Sequence, residues 1–240
     1  MKKQKLILIG NGMAGINCIE EILKNDPNRF EITVFGSEPH YNYNRIMLST
    51  VLQGDTNVED ITLHDKTWYE ENKIDLFTGE TVLKVDTEEK VILTDQNKTM
   101  SYDKLIIATG SVPFVLPIPG ADKEGVVSFR TIEDCQKIVN LSNHYKKAVV
   151  IGGGLLGLEA ARGLLNLGME VDVVHLAEHV MERQLDKTAA TLLQSELENQ
   201  GMNFLLEKVT DEIIGETRVE GLRFKDGSEI QADAVIMLSG

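Results

Sequence analysis

Short apolar runs recur along the chain, each leading into a glycine-rich turn or a stretch of helical period. Leu6-Ile7-Leu8-Ile9 is the first. Four consecutive apolar residues without polar alternation read as a parallel strand buried on both faces. The period then becomes helical from about Met13 to Lys24, Asp26-Pro27-Asn28 makes a turn, and Phe30 to Phe35 is a second strand. A short helix is predicted around Lys66 to Glu71, with Trp68 and Tyr69 as packing anchors. From Ile74 the period drops to two, giving strands at Ile74–Phe77, Thr81–Val85 and Lys90–Thr94. An apolar strand ends at Ala108-Thr109-Gly110, and Pro113, Pro117 and Pro119 then stiffen a crossing.

The order then begins again. A helix is predicted over Ile132 to His144, a strand over Ala148-Val149-Val150-Ile151, and a helix over Leu158 to Leu167 that stops at Gly168. Strands follow at Val171–Leu176, near Asn203–Glu207, at Val219–Phe224 and at Glu229–Ile230, with a helix from Lys187 to Gln200 between them. A last apolar strand runs through Ala234-Val235-Ile236-Met237-Leu238 to Ser239-Gly240. Strands alternating with helices predict an α/β fold of two three-layer Rossmann-like domains with a small antiparallel meander.

Composition narrows the partners. The 240 residues suffice for one large or two modest domains. A net charge of −14 argues against nucleic acid or an anionic membrane, both of which favour basic surfaces. Lys2, Lys3 and Lys5 precede an apolar run that breaks at Gly10, too short for a secretory signal, and no stretch approaches a membrane span. The two cysteines, Cys18 and Cys135, form no metal-ligand cluster, which fits a reducing cytoplasm. Cys18 is expected to be a small buried hydrophobe on the first helix.

The chemistry lies in the turns. Gly10-Asn11-Gly12-Met13-Ala14-Gly15 is a G-x-G-x-x-G loop between strand and helix. Gly10 allows the tight turn, Gly12 lets a pyrophosphate approach the backbone, and Gly15 lets the helix pack on the strand. The helix N-terminus offers N–H groups and a positive dipole end. Gly152-Gly153-Gly154-Leu155-Leu156-Gly157 repeats the loop, with Gly152, Gly154 and Gly157 in register. Two loops imply two nucleotides, economically a flavin and a nicotinamide dinucleotide exchanging a hydride. Glu38 lies 23 residues after Gly15, near the offset of a ribose-binding acid, though a solvated loop acid fits as well. In the second unit His175 occupies the corresponding place. It is neither the acid that favours NAD nor the arginine that favours a 2′-phosphate, so the coenzyme choice stays open.

Tyr43-Asn44-Arg45-Ile46-Met47-Leu48-Ser49 resembles the Y-x-R-x-x-L-S signature of FAD-dependent pyridine nucleotide oxidoreductases. Tyr102-Asp103-Lys104-Leu105-Ile106-Ile107-Ala108-Thr109-Gly110 resembles their second flavin motif. The resemblance implies that Arg45 meets the pyrophosphate or the flavin, that Ser49 lies beside it, and that the Val82 backbone lies against adenine. It implies flavin contacts at Ala108, Thr109 and Gly110. Met13 and Ala14 would serve the FAD phosphates, and Leu155 and Leu156 those of NAD(P)H. Glu159 would face the nicotinamide–flavin junction, although an acid near a helix N-terminus is also favoured by the dipole alone. Relatives often carry a lysine after the Leu-Ser pair, where this chain has Thr50. No cysteine lies between Cys18 and Cys135, so electrons are not expected to leave the flavin through a dithiol of this chain.

Within the family the chain looks most like the N-terminal flavoprotein module of assimilatory NAD(P)H nitrite reductase large subunits, through the two glycine loops, Pro39 to Ser49 and Met181-Glu182-Arg183-Gln184-Leu185-Asp186. On that likeness residues 1–117 form an FAD-binding domain that would resume after residue 240, and 118–240 form an NAD(P)-binding domain inserted in it. A hydride would pass from nicotinamide C4 to flavin N5. Electrons would then reach iron–sulfur and sirohaem centres in a missing C-terminal part, which reduces nitrite to ammonia. Two alternatives stay open: a stand-alone ferredoxin or rubredoxin reductase, and a nucleotide-binding fragment without turnover. The expected partners are nucleotides and an electron-accepting domain or protein, with a homodimer as an option and no resident metal.

Overall fold

In a computed structural model, described over residues 3–113 and 115–238, the chain forms two compact units. Residues 1–45 with 59–112 make the first, and 46–58 with 113–240 the second.

The first unit is built on a four-stranded parallel sheet. Its strands lie in the order Ile74–Thr78, Phe30–Gly36, Gln4–Ile9, Lys104–Ile107. Alternate residues of the central strand feed different cores. Leu6 and Leu8 pack with Ile16, Ile19 and Tyr69 on the helical side. Ile7 and Ile9 pack with Phe35, Ile92 and Tyr102 on the other. That second face is covered by an antiparallel sheet of Val82–Asp86, Val91–Thr94 and Thr99–Ser101. Its third strand, Thr99–Ser101, carries no clear alternation and was not among the expected elements; pairing with Val91–Leu93 makes it a strand.

The second unit repeats the plan with a five-stranded parallel sheet in the order Val126–Ser128, Ala234–Met237, Lys147–Ile151, Glu170–Val174, Met202–Leu205. One face meets an antiparallel sheet of Thr210–Ile214, Gly221–Phe224 and Glu229–Gln231, burying Ile213, Leu222 and Phe224 against Val149, Val235 and Met237. The chain therefore has two meanders, one in each unit. The acidic pair Asp211-Glu212 hid the Thr210–Ile214 strand from a periodicity reading.

The repetition reaches individual residues. The Asp103 carboxylate accepts the Lys5 N–H at 2.7 Å, and the Asp103 N–H donates to the Lys5 carbonyl at 2.9 Å. Asp233 does the same at the other sheet, accepting the Lys147 N–H at 2.9 Å and donating to the Lys147 carbonyl at 2.9 Å. Each aspartate thereby fixes the register of the strand that ends under its glycine loop. Ser239 and Gly240, the counterparts in sequence of Thr109 and Gly110, lie outside the described residues.

The helix Met13–Asn25 buries Gly15, Ile16 and Ile19, with Ile22 and Leu23 packed alongside. Cys18 falls off that face and is exposed, contrary to the expectation that it would be buried. The segment after Arg45 forms a short helix, Leu48–Gln53, that belongs to the second unit. A Cβ on Gly163 would sit 2.6 Å from Leu52 Cγ, so only glycine lets the two helices approach this closely. Asn166 Nδ2 donates to the Gln53 carbonyl at 3.0 Å, and Gln53 Nε2 to the Glu159 carbonyl at 3.4 Å. Among the described residues no helix is long and apolar enough to cross a membrane.

Candidate functional site

At the end of the first strand Gly10 turns with φ +112°, and a Cβ there would stand 2.1 Å from the Ala108 carbonyl oxygen. A Cβ on Gly15 would meet the Gly10 carbonyl oxygen at 2.7 Å and the Ala108 Cβ at 3.2 Å. Gly10, Gly15 and Ala108 are thus one contact, with Thr109 and Gly110 leading away from it. Gly12 differs, because nothing lies within 4 Å of its Cβ position. It precedes a helix with no side-chain cap and no acidic residue in its first turn. The N–H groups around Met13 and Ala14 therefore have no side-chain cap, the arrangement in which a helix N-terminus can receive an anion.

The second loop has the same signature. Gly152 turns with φ +127° under the Leu238 carbonyl oxygen, 2.7 Å from where its Cβ would be. A Cβ on Gly157 would lie 1.9 Å from the Gly152 carbonyl oxygen, while the Gly154 position is open. The helix Leu155–Asn166 again lacks a side-chain cap and a first-turn acid. Leu155 and Leu156 are exposed on its first turn, and Glu159, half-buried, lies one turn beyond Leu155 on the same face.

Glu38 has company that the sequence did not reveal. Arg45 Nη2 donates to Glu38 Oε1, and the Tyr43 hydroxyl donates to Glu38 Oε2 at 2.6 Å. The Arg45 guanidinium also lies 5.1 Å from the centre of the Tyr43 ring. The Glu38 carbonyl accepts the Gly79 N–H and the Gly36 carbonyl the Glu80 N–H, both at 3.0 Å, which ties this turn to the start of the meander and so to Val82. Ser49 is buried in the second unit, its hydroxyl directed to the Ile46 carbonyl.

Several supporting residues escaped the sequence reading. Asn11 donates through Nδ2 to the His40 carbonyl at 3.2 Å and accepts the Tyr69 hydroxyl on Oδ1 at 2.8 Å, while Asn42 Nδ2 donates to the Asn11 carbonyl at 2.9 Å. Burial pushes the Tyr69 phenol up to about 12. Glu80, almost fully buried, accepts Thr94 Oγ1 and Lys98 Nζ, each at 2.7 Å, and Lys98 Nζ lies 3.5 Å from the centre of the Phe77 ring. No spacing rule points to such contacts, because their partners come from separate loops, turns, strands and a helix.

His175 is buried beneath the second loop. Its Nδ1 accepts the Gly153 N–H at 3.1 Å, and its Nε2 lies 2.9 Å from Glu182 Oε2. Burial pushes the Glu182 carboxyl up, but hydrogen bonds from its own backbone N–H and from His175, with the nearby Arg183, outweigh that and leave it below the ordinary value. Glu178, the other acid near this turn, pairs with Lys187 at 2.9 Å, and that partner lowers its pKa.

Residues 4–240 match the family described as pyridine nucleotide-disulphide oxidoreductase. The chain belongs to this family. It is 65% identical over its full length to the nitrite reductase [NAD(P)H] of Bacillus subtilis (strain 168), of which it covers 30%. It is 59% identical to the assimilatory nitrate reductase electron transfer subunit of the same organism, covering 31% of that protein. The chain thus spans about a third of the length of these curated relatives. Among solved structures, a NAD-dependent persulfide reductase from A. fulgidus superposes with a TM-score of 0.92 at 29% identity, over 98% of this chain and 46% of that one. Family membership implies FAD and NAD(P)H as the nucleotides, and the two uncapped loops with open Gly12 and Gly154 positions fit two such pyrophosphates.

Proposed function

We propose that this chain is the flavoprotein part of an NAD(P)H-dependent oxidoreductase, binding FAD at the Gly10–Gly15 loop and NAD(P)H at the Gly152–Gly157 loop. The observation that carries the reading is the shared steric signature. In each G-x-G-x-x-G motif the first and last glycines, Gly10 and Gly15 or Gly152 and Gly157, are closed by backbone, and the middle one, Gly12 or Gly154, is open. That combination leaves one face free for a pyrophosphate, which a side chain at the middle glycine would occupy instead.

The bound nucleotides supply the redox chemistry, a hydride passing from NAD(P)H to FAD. The chain's residues bind and orient. N–H groups at the two helix N-termini take the phosphates. Glu38 takes ribose hydroxyls, since a carboxylate accepts about four hydrogen bonds and Tyr43 and Arg45 supply two of them. Arg45 adds positive charge near the diphosphate. Ala108, Thr109 and Gly110 let a ring approach backbone, Val82 offers its backbone to adenine, and Ser49 lies along the flavin side. Exposed Leu155 and Leu156 give the second loop an apolar wall against the coenzyme, and Glu159, as the family resemblance implies, would face the nicotinamide.

The finer reading is that electrons continue to an acceptor outside these residues, an iron–sulfur and sirohaem centre that reduces nitrite to ammonia. The 65% likeness to a nitrite reductase supports it. The test is anaerobic absorbance of the intact protein loaded with FAD. Retained flavin that bleaches on NADH or NADPH, followed by reoxidation on nitrite, is the expected result. Flavin that binds and is not reduced would overturn the hydride assignment, and reoxidation by a ferredoxin but not by nitrite would overturn the acceptor.

A further inference from the structure

The two glycine loops are held by opposite means. The Gly10 N–H donates to the Phe35 carbonyl at 2.8 Å, and the Gly152 N–H to the Val174 carbonyl at 2.9 Å. The next residues, Gly36 and His175, therefore occupy equivalent positions, and so do Asn11 and Gly153 in the loops. In the first unit the small residue is on the strand, and a Cβ on Gly36 would lie 2.8 Å from Asn11 Cβ. In the second it is in the loop, and a Cβ on Gly153 would lie 2.9 Å from His175 Cγ. Large and small have exchanged places.

The exchange changes which atoms hold the loop. Asn11 reaches out with its own side chain to His40 and Tyr69. Gly153 has none, so its backbone is held from outside. Its N–H goes to His175 Nδ1 at 3.1 Å, and its carbonyl accepts the Met181 N–H at 3.0 Å, with Met181 in the left-handed region at φ +55°. A ring nitrogen that accepts an N–H carries no proton. The proton of the neutral imidazole is then on Nε2, where it donates to Glu182 Oε2 at 2.9 Å. At 6% exposure the ring is enclosed, with one nitrogen engaged by the loop and the other by Glu182.

We propose that His175 is a positioning residue for the nicotinamide dinucleotide. It fixes the Gly152–Gly157 backbone by accepting the Gly153 N–H, and Glu182 selects the tautomer that can accept. This rests on the reading of that loop as the NAD(P)H site. His175 acts through Gly153 and does not itself touch the ribose. It is thereby distinguished from the acid usual at this position, which acts by direct contact.

Three variants of the intact protein separate this role from simple packing. His175→Asn keeps an acceptor near the Nδ1 position, His175→Gln keeps an N–H near the Nε2 position but loses that acceptor, and His175→Ala loses both. The expected result is an NAD(P)H Kd raised about tenfold in H175A and H175Q, the size of one lost loop hydrogen bond, and within about threefold of wild type in H175N. FAD content should be unchanged in all three. Amide exchange of the peptide spanning residues 150–157 should quicken in H175A and H175Q and stay slow in H175N, with or without coenzyme. Equal behaviour of H175N and H175Q, or an unchanged Kd and exchange rate in H175A, would overturn the proposal. If wild type takes up no NAD(P)H, the site reading fails, while the exchange pattern still decides whether His175 sets the loop. A second check is Gly153→Ala, which should lose coenzyme binding alone and recover part of it when combined with H175A, since the Cβ then meets no ring.

Discussion

Arg45 and Glu38 are joined by an ion pair, although each is expected to serve a different part of the same dinucleotide. Their side chains are 30% and 27% exposed, so the pair is neither dry nor fully screened. Arg45 therefore orients the carboxylate, besides the charge it is proposed to bring to the dinucleotide. Arg45→Ala should weaken FAD binding by about tenfold to a hundredfold, in line with the loss of a charge-assisted hydrogen bond. NAD(P)H binding should not change. Fluorescence titration with both nucleotides checks this, and unaltered FAD affinity would remove Arg45 from the site.

The glycines of each loop should separate into two classes. Gly12→Ala and Gly154→Ala meet no neighbour and should fold with a thermal midpoint near wild type, yet lose FAD and NAD(P)H respectively. Gly15→Ala and Gly157→Ala drive a Cβ to 2.7 Å and 1.9 Å from a carbonyl oxygen and should destabilise the fold itself, by at least about 1–3 kcal/mol. Thermal unfolding of the ligand-free protein, set beside ligand titration, distinguishes the classes. A Gly12→Ala protein with normal FAD affinity would contradict the open-face argument.

Glu80 is 3% exposed as a side chain and relies on Lys98 and Thr94. Lys98→Met leaves a buried carboxylate without its cation. The expected loss is about 2–4 kcal/mol in urea unfolding, towards the lower end because a third of the Lys98 side chain remains in water. The double variant Glu80→Gln, Lys98→Met should recover part of that loss. If the single and double variants are equally unstable, the ion pair is not what holds this corner.

Two buried acids should weaken the fold at alkaline pH. Burial raises the Tyr69 phenol from 10.0 to about 12 and the Cys135 thiol from 9.0 to about 12. In the unfolded chain both ionise earlier. Their contribution is complete below pH 9 and falls as pH rises through 12. Tyr69→Phe should flatten the decline above pH 10, at a fixed cost of about 1–2 kcal/mol for leaving Asn11 Oδ1 without its donor. Urea midpoints measured from pH 8 upward give the slope, and an unchanged slope in Tyr69→Phe would show that the phenol does not control it.

The thiols should also differ in reactivity. Cys18 is exposed and Cys135 is buried, with its Sγ directed at the Leu48 carbonyl 3.8 Å away. A thiol reagent at pH 8 should modify Cys18 alone in the folded protein and both after denaturation. Cys18→Ser should leave NAD(P)H oxidation unchanged. Loss of NAD(P)H oxidation in Cys18→Ser would mean that electrons do pass through a thiol of this chain.

The sequence by itself determined both glycine loops, the parallel strands that end beneath them and the helices that leave them. These are local properties. A continuous apolar run with glycines at fixed offsets specifies strand, turn and helix within some twenty residues. Cys18 shows the limit of that reasoning, since a small apolar residue on an amphipathic helix is placed by its angle to Ile16 and Ile19 and not by its hydrophobicity. Only the tertiary structure decided what braces the loops. Tyr69 reaches Asn11 across 58 positions, and His175 reaches Gly153 across 22. It also joined the Leu48–Gln53 helix to the second unit, because Gly163 leaves room for Leu52. Such contacts depend on the shapes that meet when distant segments pack. A glycine's spacing shows that the backbone turns, whereas the atom that excludes a Cβ, the Ala108 or Leu238 carbonyl, belongs to another strand and becomes its neighbour only in the folded sheet.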